Sequence, residues 1–141
     1  MRVVVDASVA LKWFFHSRPN GTDVGAAMAI LDAIKVGRID VLAPPHWLAE
    51  VLAVIAREAP LLVDGALSAL VALDFPVMDT HDVYKCAAEL SIRRKHHLFD
   101  TLYHAIALEH DGTLVTDDQR YFKAARAEGR IALLRNFRLP P

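Results

Sequence analysis

The sequence predicts an α/β domain built on a parallel sheet. Short apolar runs, such as residues 3–5 and 131–134, alternate with longer segments in which apolar residues recur at helical spacing. This alternation, with short turns between the segments, favours a central parallel sheet flanked by helices. A length of 141 residues, with 54% hydrophobic and 23% charged residues, is typical of one globular domain. We therefore expect a single domain over residues 1–141.

Strands are predicted from apolar runs that end at turn-forming or polar residues. The first run is three consecutive valines ending on Asp6, as is typical of a strand buried on both faces. The second ends at Pro44, and the fourth ends on Thr116 and two aspartates. We expect about five strands in all, at residues 3–5, 39–43, 75–78, 113–116 and 131–134.

Helices are predicted where apolar residues have helical spacing and where caps or breakers mark the ends. A short helix should follow Asp6, and a loop rich in Pro, Asn and Gly follows at residues 16–22. The segment at residues 46–57 is apolar nearly all round, which is typical of a buried helix. The longer helices are expected at about residues 23–36, 46–57, 60–73, 79–94, 98–108 and 119–127.

The charge and the cysteine content restrict the kinds of protein that this chain can be and the cellular compartment in which we expect it. A net charge of −1 argues against a surface coated for nucleic acid, although the basic run at residues 93–97 could contact phosphate. The single cysteine, Cys86, allows no internal disulfide. Asp6 and Lys12 interrupt the apolar N-terminus, unlike a secretory signal, and no stretch approaches the ~18 residues of a membrane span. We expect a cytoplasmic protein.

Four carboxylates occupy positions that favour a common site. Asp6 and the Asp117–Asp118 pair follow predicted strands, whose carboxyl ends can lie side by side in a parallel sheet. Asp100 begins a helix, and Glu50 lies on the apolar helix. Each also has a purely structural interpretation, since aspartates cap helices and Glu50 could occupy an exposed edge.

Convergence of these acids would require a cation or protonation. Two like charges ~4 Å apart repel by roughly 4 kcal/mol at an effective dielectric of about 20. Oxygen ligands without a convincing Cys or His set favour Mg²⁺ or Mn²⁺ over Zn²⁺. Such ions suit the hydrolysis of phosphodiesters.

Four stretches, taken in order, resemble the PIN-domain nucleases. They are Val-Asp-Ala-Ser-Val at residues 5–9, the segment from Pro45 to Glu50, Phe-Asp-Thr-Leu-Tyr-His-Ala-Ile-Ala at 99–107, and Leu-Val-Thr-Asp-Asp-Gln-Arg-Tyr-Phe at 114–122. In size and motif order the chain resembles the VapC toxins of toxin–antitoxin pairs.

The resemblance implies a metal-dependent endoribonuclease with strand order 3-2-1-4-5. Asp118 is preferred to Asp117, because the family pattern is Thr, any residue, then Asp. The resemblance assigns catalytic roles to Asp6, Glu50, Asp100 and Asp118, metal binding to Asp6, Asp100 and Asp118, and supporting hydroxyls to Ser8 and Thr116. The basic run adds Arg93, Arg94 and Lys95 as candidate RNA contacts.

The implied partners are RNA, Mg²⁺ or Mn²⁺, a VapB-type antitoxin and a second copy of the chain. Three positions depart from the family pattern. Ala53 replaces a common Asn, Phe99 replaces a common Tyr, and His104 could reach the site, although a core or surface role is favoured.

Two other functions stay open. The first is a PIN-like module that binds RNA or protein without cutting. The second is a phosphoryl-transfer hydrolase with Asp6 as nucleophile, which is disfavoured because Ser8 stands where such enzymes usually have a second aspartate.

Overall fold

The computed structural model describes residues 1–15 and 23–141, so the predicted loop at residues 16–22 lies outside the described residues. Four parallel strands form one sheet: β1 (Arg2–Val5), β2 (Asp40–Leu42), β3 (Thr113–Thr116) and β4 (Ile131–Leu133). Their order across the sheet is β2-β1-β3-β4. At its centre, Val4 of β1 pairs with Leu42 of β2 on one side and Leu114 of β3 on the other. The predicted α/β class is confirmed.

Seven α-helices lie in the described part of the chain. Short 3₁₀ turns follow or precede several of them, at Leu11–Trp13, Pro60–Leu62, Arg126–Glu128 and Leu134–Asn136. The helices are α1 (Ala7–Ala10), α2 (Val24–Lys35), α3 (Trp47–Glu58), α4 (Val63–Ala72), α5 (His81–Arg94), α6 (Leu98–Glu109) and α7 (Gln119–Ala125).

The prediction of five strands is corrected to four. The segment at residues 75–78 joins β2 only through a single bridge between Ala43 and Val77. Prolines explain why this ladder does not extend, since they have no N–H to donate. Ala43 N–H donates to the Pro76 carbonyl and Met78 N–H to the Ala43 carbonyl, and since donors alternate along a strand, the next donors of this ladder would be at Pro45 and Pro76. The position of this bridge, outside β2, agrees with the expected order 3-2-1-4-5 for a third strand reduced to one residue pair.

The prediction that α3 is buried nearly all round is wrong. Its buried residues, Trp47, Val51 and Ile55, form one stripe. The opposite face carries exposed alanines, including Ala49 and Ala53. Alanine counts as apolar in a sequence pattern, yet it exposes little surface and favours helix, so it is well tolerated towards solvent.

The central strands and α6 form the core and position the acids. Residues 3–5 of β1 are buried, and so is every residue of α6 from 101 to 107. Helix α6 packs against β1 and β3, which places its N-terminal turn close to the carboxyl ends of both strands. Among the described helices, none combines the length and hydrophobicity that a bilayer span needs.

Candidate active site

Asp6 is held at the carboxyl end of β1 by two hydroxyl groups. Its backbone N–H donates to the Val115 carbonyl of β3 (3.1 Å). Its carboxylate Oδ2 accepts hydrogen bonds from Thr116 Oγ1 (2.6 Å) and Ser8 Oγ (3.2 Å). The side chain makes no capping bond to α1, so the capping interpretation of Asp6 does not hold.

The same two hydroxyl groups also fix the turn after β3. Thr116 Oγ1 accepts from the Asp118 N–H (3.0 Å), and Ser8 Oγ accepts from the Asp117 N–H (3.1 Å). Each hydroxyl therefore donates to the Asp6 carboxylate and accepts from a backbone N–H of the turn that follows β3. This arrangement orients the first carboxylate relative to the aspartates of the 116–118 turn.

Neighbouring charges and burial make the ionised form of Asp6 unfavourable. Burial raises the pKa of Asp6 to about 6, against the lowering effect of the Thr116 hydrogen bond. The negative charges of Glu50 and Asp100 raise it further. These acids, from β1, α3 and α6, therefore lie within electrostatic range of one another.

Glu50 is fixed by two aromatic side chains. The Tyr103 hydroxyl donates to Glu50 Oε2 (3.3 Å), and His46 Nε2 lies 3.3 Å from Glu50 Oε1. The Glu50 side chain keeps 32% of its exposure, so it lies at the edge of the α3 stripe with its carboxylate turned towards α6. Burial, with Glu50 and Asp6 nearby, raises the pKa of Tyr103, which keeps this hydroxyl protonated as a donor.

Asp100 lies in the first turn of α6. The residue that precedes this helix as its cap is His97, so the interpretation of Asp100 as a cap is wrong. Burial raises the pKa of Asp100, with further contributions from Glu50 and Asp118. His96 Nδ1 lies 3.8 Å from Asp100 Oδ2, and the charges of His96 and His97 oppose the rise.

The tandem aspartates after β3 have different partners. Asp118 Oδ1 accepts from the Tyr121 N–H (3.0 Å) and so caps α7, while its charge acts on Asp100. Asp117 Oδ2 instead forms an ion pair with Lys12 Nζ (3.1 Å). The geometry therefore associates Asp118, rather than Asp117, with the other acids.

A comparison with protein families identifies the family of this chain. The model of the PIN domain matches residues 3–127. The chain belongs to the PIN-domain family. PIN domains are generally nucleases, and the acids of this PIN domain lie where β1, β3 and α6 meet.

Two solved structures share the fold. One, described as FitAB bound to an IR36 DNA fragment, has a TM-score of 0.71 and 18% identity, with 96% of this chain and 97% of the other covered. The other, FitAcB from Neisseria gonorrhoeae, has a TM-score of 0.70 and 18% identity, with 96% and 99% covered. Among curated proteins, no sequence matches this chain significantly.

The donor set of this PIN domain fits a hydrated hard cation. Within residues 1–15 and 23–141, no three acidic, histidine or cysteine side chains lie close enough to hold one ion together. Mg²⁺ needs only one or two carboxylates, because it keeps several of its waters. Carboxylates whose pKa values are raised by burial and by neighbouring acids, as at Asp6 and Asp100, are suited to such an ion.

His104 is a core residue, as the favoured interpretation of the sequence had it. It is fully buried, its Nδ1 lies 2.9 Å from the Tyr121 hydroxyl, and its Nε2 lies 2.7 Å from the Gly129 carbonyl. Because a carbonyl only accepts, Nε2 carries the proton and Tyr121 donates to Nδ1. Burial lowers the pKa of His104, so this neutral form persists.

Two of the three candidate RNA contacts are already paired within the protein. Arg93 Nε and Arg94 Nε lie 2.6 Å and 3.3 Å from the same oxygen of Glu128. Lys95 ends α5 in a left-handed conformation and is exposed. The arginine pair therefore joins the end of α5 to the turn before β4, and Lys95 presents its charge to solvent.

Sequence reasoning did not identify three side chains that contact the acids. His46 is four residues before Glu50 and Tyr103 is three residues after Asp100, so helical spacing placed each beside an acid. Lys12 lies one turn after Ser8 in the sequence. The sequence shows these spacings, but it does not show that the Glu50 side of α3 faces α6.

Proposed function

We propose that residues 1–141 form a single PIN domain that acts as a metal-dependent endoribonuclease, the toxin of a VapBC-type pair. The observation that supports this proposal is the raised pKa of Asp6 beneath Glu50 and Asp100. Acids placed close together at this cost need a positive charge, and the phosphodiester of RNA is the substrate that such a charge would bind. We propose RNA as the substrate, rather than another phosphodiester, because the sequence motifs resemble those of the VapC toxins.

Each acid has a distinct task in this proposal. Asp6, Asp100 and Asp118 would hold one or two Mg²⁺ or Mn²⁺ ions, in part through water. The ion, when bound, lowers the pKa of a water and offsets negative charge on the phosphate. Glu50, oriented by Tyr103 and His46, accepts a proton from the attacking water.

Ser8 and Thr116 keep Asp6 in place during this reaction. Because both hydroxyls donate to the same carboxylate oxygen, Oδ2, the other oxygen, Oδ1, would be available to help hold the ion. In-line attack would leave a 5′-phosphate and a 3′-hydroxyl, as the family resemblance implies.

The decisive experiment incubates the purified chain, freed of any antitoxin, with total cellular RNA and Mg²⁺ or Mn²⁺. Discrete fragments are expected. They should be absent with EDTA and with Asp100→Asn, and unchanged with Asp82→Asn, a matched control at an acid whose side chain is 80% exposed. Cleavage that persists in Asp100→Asn would contradict the site assignment.

The partners belong to the same proposal. We expect a VapB-type antitoxin that blocks the site, a homodimer, and a cytoplasmic location. The FitAB structure is described as bound to DNA, and by extension the complex of this chain with its antitoxin would bind DNA as well. Light scattering on the purified chain, alone and co-expressed with the antitoxin encoded beside it, measures both associations, and a monomer in each sample would contradict them.

One observation favours a second candidate, a PIN domain that binds RNA without cutting it. No three candidate ligands of the described chain lie close enough to share one ion. A calorimetric titration with Mn²⁺ separates the two candidates, because the nuclease requires binding that Asp100→Asn weakens, whereas the binding module requires none.

A further inference from the structure

His46 connects two acids of the site through one ring nitrogen. It precedes α3 directly, and its Nε2 lies 2.9 Å from the carbonyl oxygen of Phe99, the residue before Asp100. The same nitrogen lies 3.3 Å from Glu50 Oε1. We propose that His46 is a positioning residue whose Nε2–H, bonded to the Phe99 carbonyl and shared with the nearby Glu50 Oε1, keeps Glu50 beside the first turn of α6 and so sets its separation from Asp100.

The Phe99 carbonyl determines which ring nitrogen carries the proton. A carbonyl oxygen only accepts, so Nε2 must donate to it. The other ring nitrogen, Nδ1, is buried and has no hydrogen-bond partner among the described residues.

Aromatic packing holds the ring in this orientation. The His46 ring centroid lies 5.1 Å from the Phe99 ring and 5.1 Å from the Tyr103 ring, edge-on to the latter. The His46 side chain retains only 15% of its exposure. Rotation of the ring would therefore disturb both aromatic contacts, and Nε2 stays directed at α6.

His46 and Tyr103 together fix both oxygens of Glu50. Tyr103 donates to Oε2, and His46 Nε2 faces Oε1. A carboxylate that is bonded at one oxygen and has a polarised N–H beside the other is restrained from rotating towards solvent, although its side chain is partly exposed. This fixation matters because Glu50 and Asp100 repel each other, and without it Glu50 would turn away from the site.

The expected effect of His46 on catalysis rests on the proposed function, whereas the contacts of its ring do not. Loss of a group that orients a metal-site residue typically costs 10–100-fold in metal affinity or activity. We expect a loss of about 10-fold in Mn²⁺ affinity and about 30-fold in kcat, with KM for RNA little changed, because His46 does not contact substrate.

Two amide substitutions test the role of Nε2 specifically. The side-chain amide of Gln can place an N–H near the position of Nε2, whereas that of Asn reaches only the position of Nδ1. His46→Gln should therefore retain Mn²⁺ affinity and kcat within about threefold, and His46→Asn should show the full loss. Equal losses in the two variants, or none in His46→Asn, would overturn the proposal.

A spectroscopic measurement is independent of cleavage. Nitrogen-15 NMR of the imidazole in the metal-free protein should show a proton on Nε2, as the bond to the Phe99 carbonyl requires. A ring protonated on Nδ1 alone would overturn the proposal. If the wild-type chain showed this tautomer and bound Mn²⁺ but cut no RNA, the nuclease function would fail while the role of His46 would stand.

Discussion

Asp6 illustrates how one residue can weaken the fold in order to build a site. Burial and the charges of Glu50 and Asp100 disfavour the ionised form of its carboxylate, and the Thr116 and Ser8 hydroxyls compensate in part. An asparagine at this position would avoid that cost. In the proposed function, the carboxylate is kept because its charge would help to hold a cation.

This cost predicts a pH dependence of the stability of the metal-free protein. The folded state holds the Asp6 proton up to a pKa of about 6, whereas the unfolded chain releases it near 3.9. Because the folded state binds more protons in this window, the free energy of unfolding falls as pH rises from about 4 to about 6. Through Asp6 the fall amounts to at most about 3 kcal/mol.

Urea unfolding in EDTA, on wild type and Asp6→Asn, measures this effect. Asparagine does not titrate and still accepts the Thr116 hydrogen bond. The free energy of unfolding of wild type minus that of the variant should decrease between about pH 4 and 6 and then stay level. A difference that increases over that interval would contradict the raised pKa.

The tandem aspartates give a second prediction at this scale. Asp118→Asn should lower kcat/KM at least about 100-fold, the upper range for groups that support a metal site. Asp117→Asn should change it less than about threefold, because Asp117 faces Lys12 on a partly exposed pair worth under about 1 kcal/mol. Steady-state cleavage of one RNA substrate measures both, and similar losses would show that Asp117 shares the role.

Individual residues could be predicted from the sequence when their position depended on the strand register. Asp6 and Asp118 each follow a strand, and parallel neighbours bring such residues together. Glu50 was harder, because its environment depends on the rotation of α3 about its axis. The contacts that fix it, from His46 and Tyr103, depend on that rotation and on where α6 crosses it, and neither has a sequence signal.

At the scale of elements, the junction between β3 and α7 is organised by the Thr116 hydroxyl. It donates to Asp6 on the neighbouring strand and accepts from the Asp118 N–H. Thr116 is fully buried, so removal of its hydroxyl would leave the Asp118 N–H without its acceptor and the Asp6 carboxylate without one of its donors. One side chain thereby joins the ends of two strands to the start of a helix.

Removal of that hydroxyl should destabilise the protein. Thr116→Val keeps the shape and leaves the Asp118 N–H without its acceptor, so we expect a loss of about 1–3 kcal/mol in the free energy of unfolding. Thr116→Ser retains the hydroxyl and should lose less than about 1.5 kcal/mol. Urea denaturation at neutral pH compares them, and a serine variant as unstable as the valine variant would show that the methyl group, not the hydrogen bonds, matters.

The elements differ in how far sequence could predict them. The helix at 98–108 and the strand at 113–116 were expected within one residue of their observed bounds. The segment at 75–78 was expected to be a strand, and its apolar pattern agreed, but Pro45 and Pro76 deprive the ladder of donors on both sides of the bridge. The burial of α3 was overestimated because Leu48, Leu52 and Val54, which are apolar in the sequence pattern, are only partly buried.

For the whole molecule, the acids predict that a divalent ion stabilises the fold. An ion that binds only the folded state adds RT ln(1 + [L]/Kd), about 2.7 kcal/mol at 100 times Kd. We expect Mn²⁺ to raise the Tm of wild type and to raise that of Asp100→Asn much less. Thermal unfolding with and without Mn²⁺, with Asp82→Asn as the control that should behave as wild type, measures this, and an equal rise in all three proteins would contradict binding at the site.

The fold class of the whole molecule was predictable because the same alternation of apolar runs and amphipathic segments repeats along the chain. Runs of valine and leucine alternate with amphipathic segments throughout, and only a parallel sheet with crossover helices accommodates that order. The proposed dimer and antitoxin rest only on the family resemblance, since each depends on a surface whose partner would be another chain.

The hydrogen bond between Thr116 and Asp6 spans 110 positions of the chain, and this separation has a consequence for biosynthesis. A ribosome adds about 5–20 residues per second, so the first carboxylate waits several seconds for the strand that completes its surroundings. Until β3 emerges, β1 lacks its central neighbour, and no partial chain can carry an assembled site. If the chain is the RNA-cutting toxin proposed above, it is inert while it is being made, and an antitoxin translated alongside it would have that interval in which to accumulate.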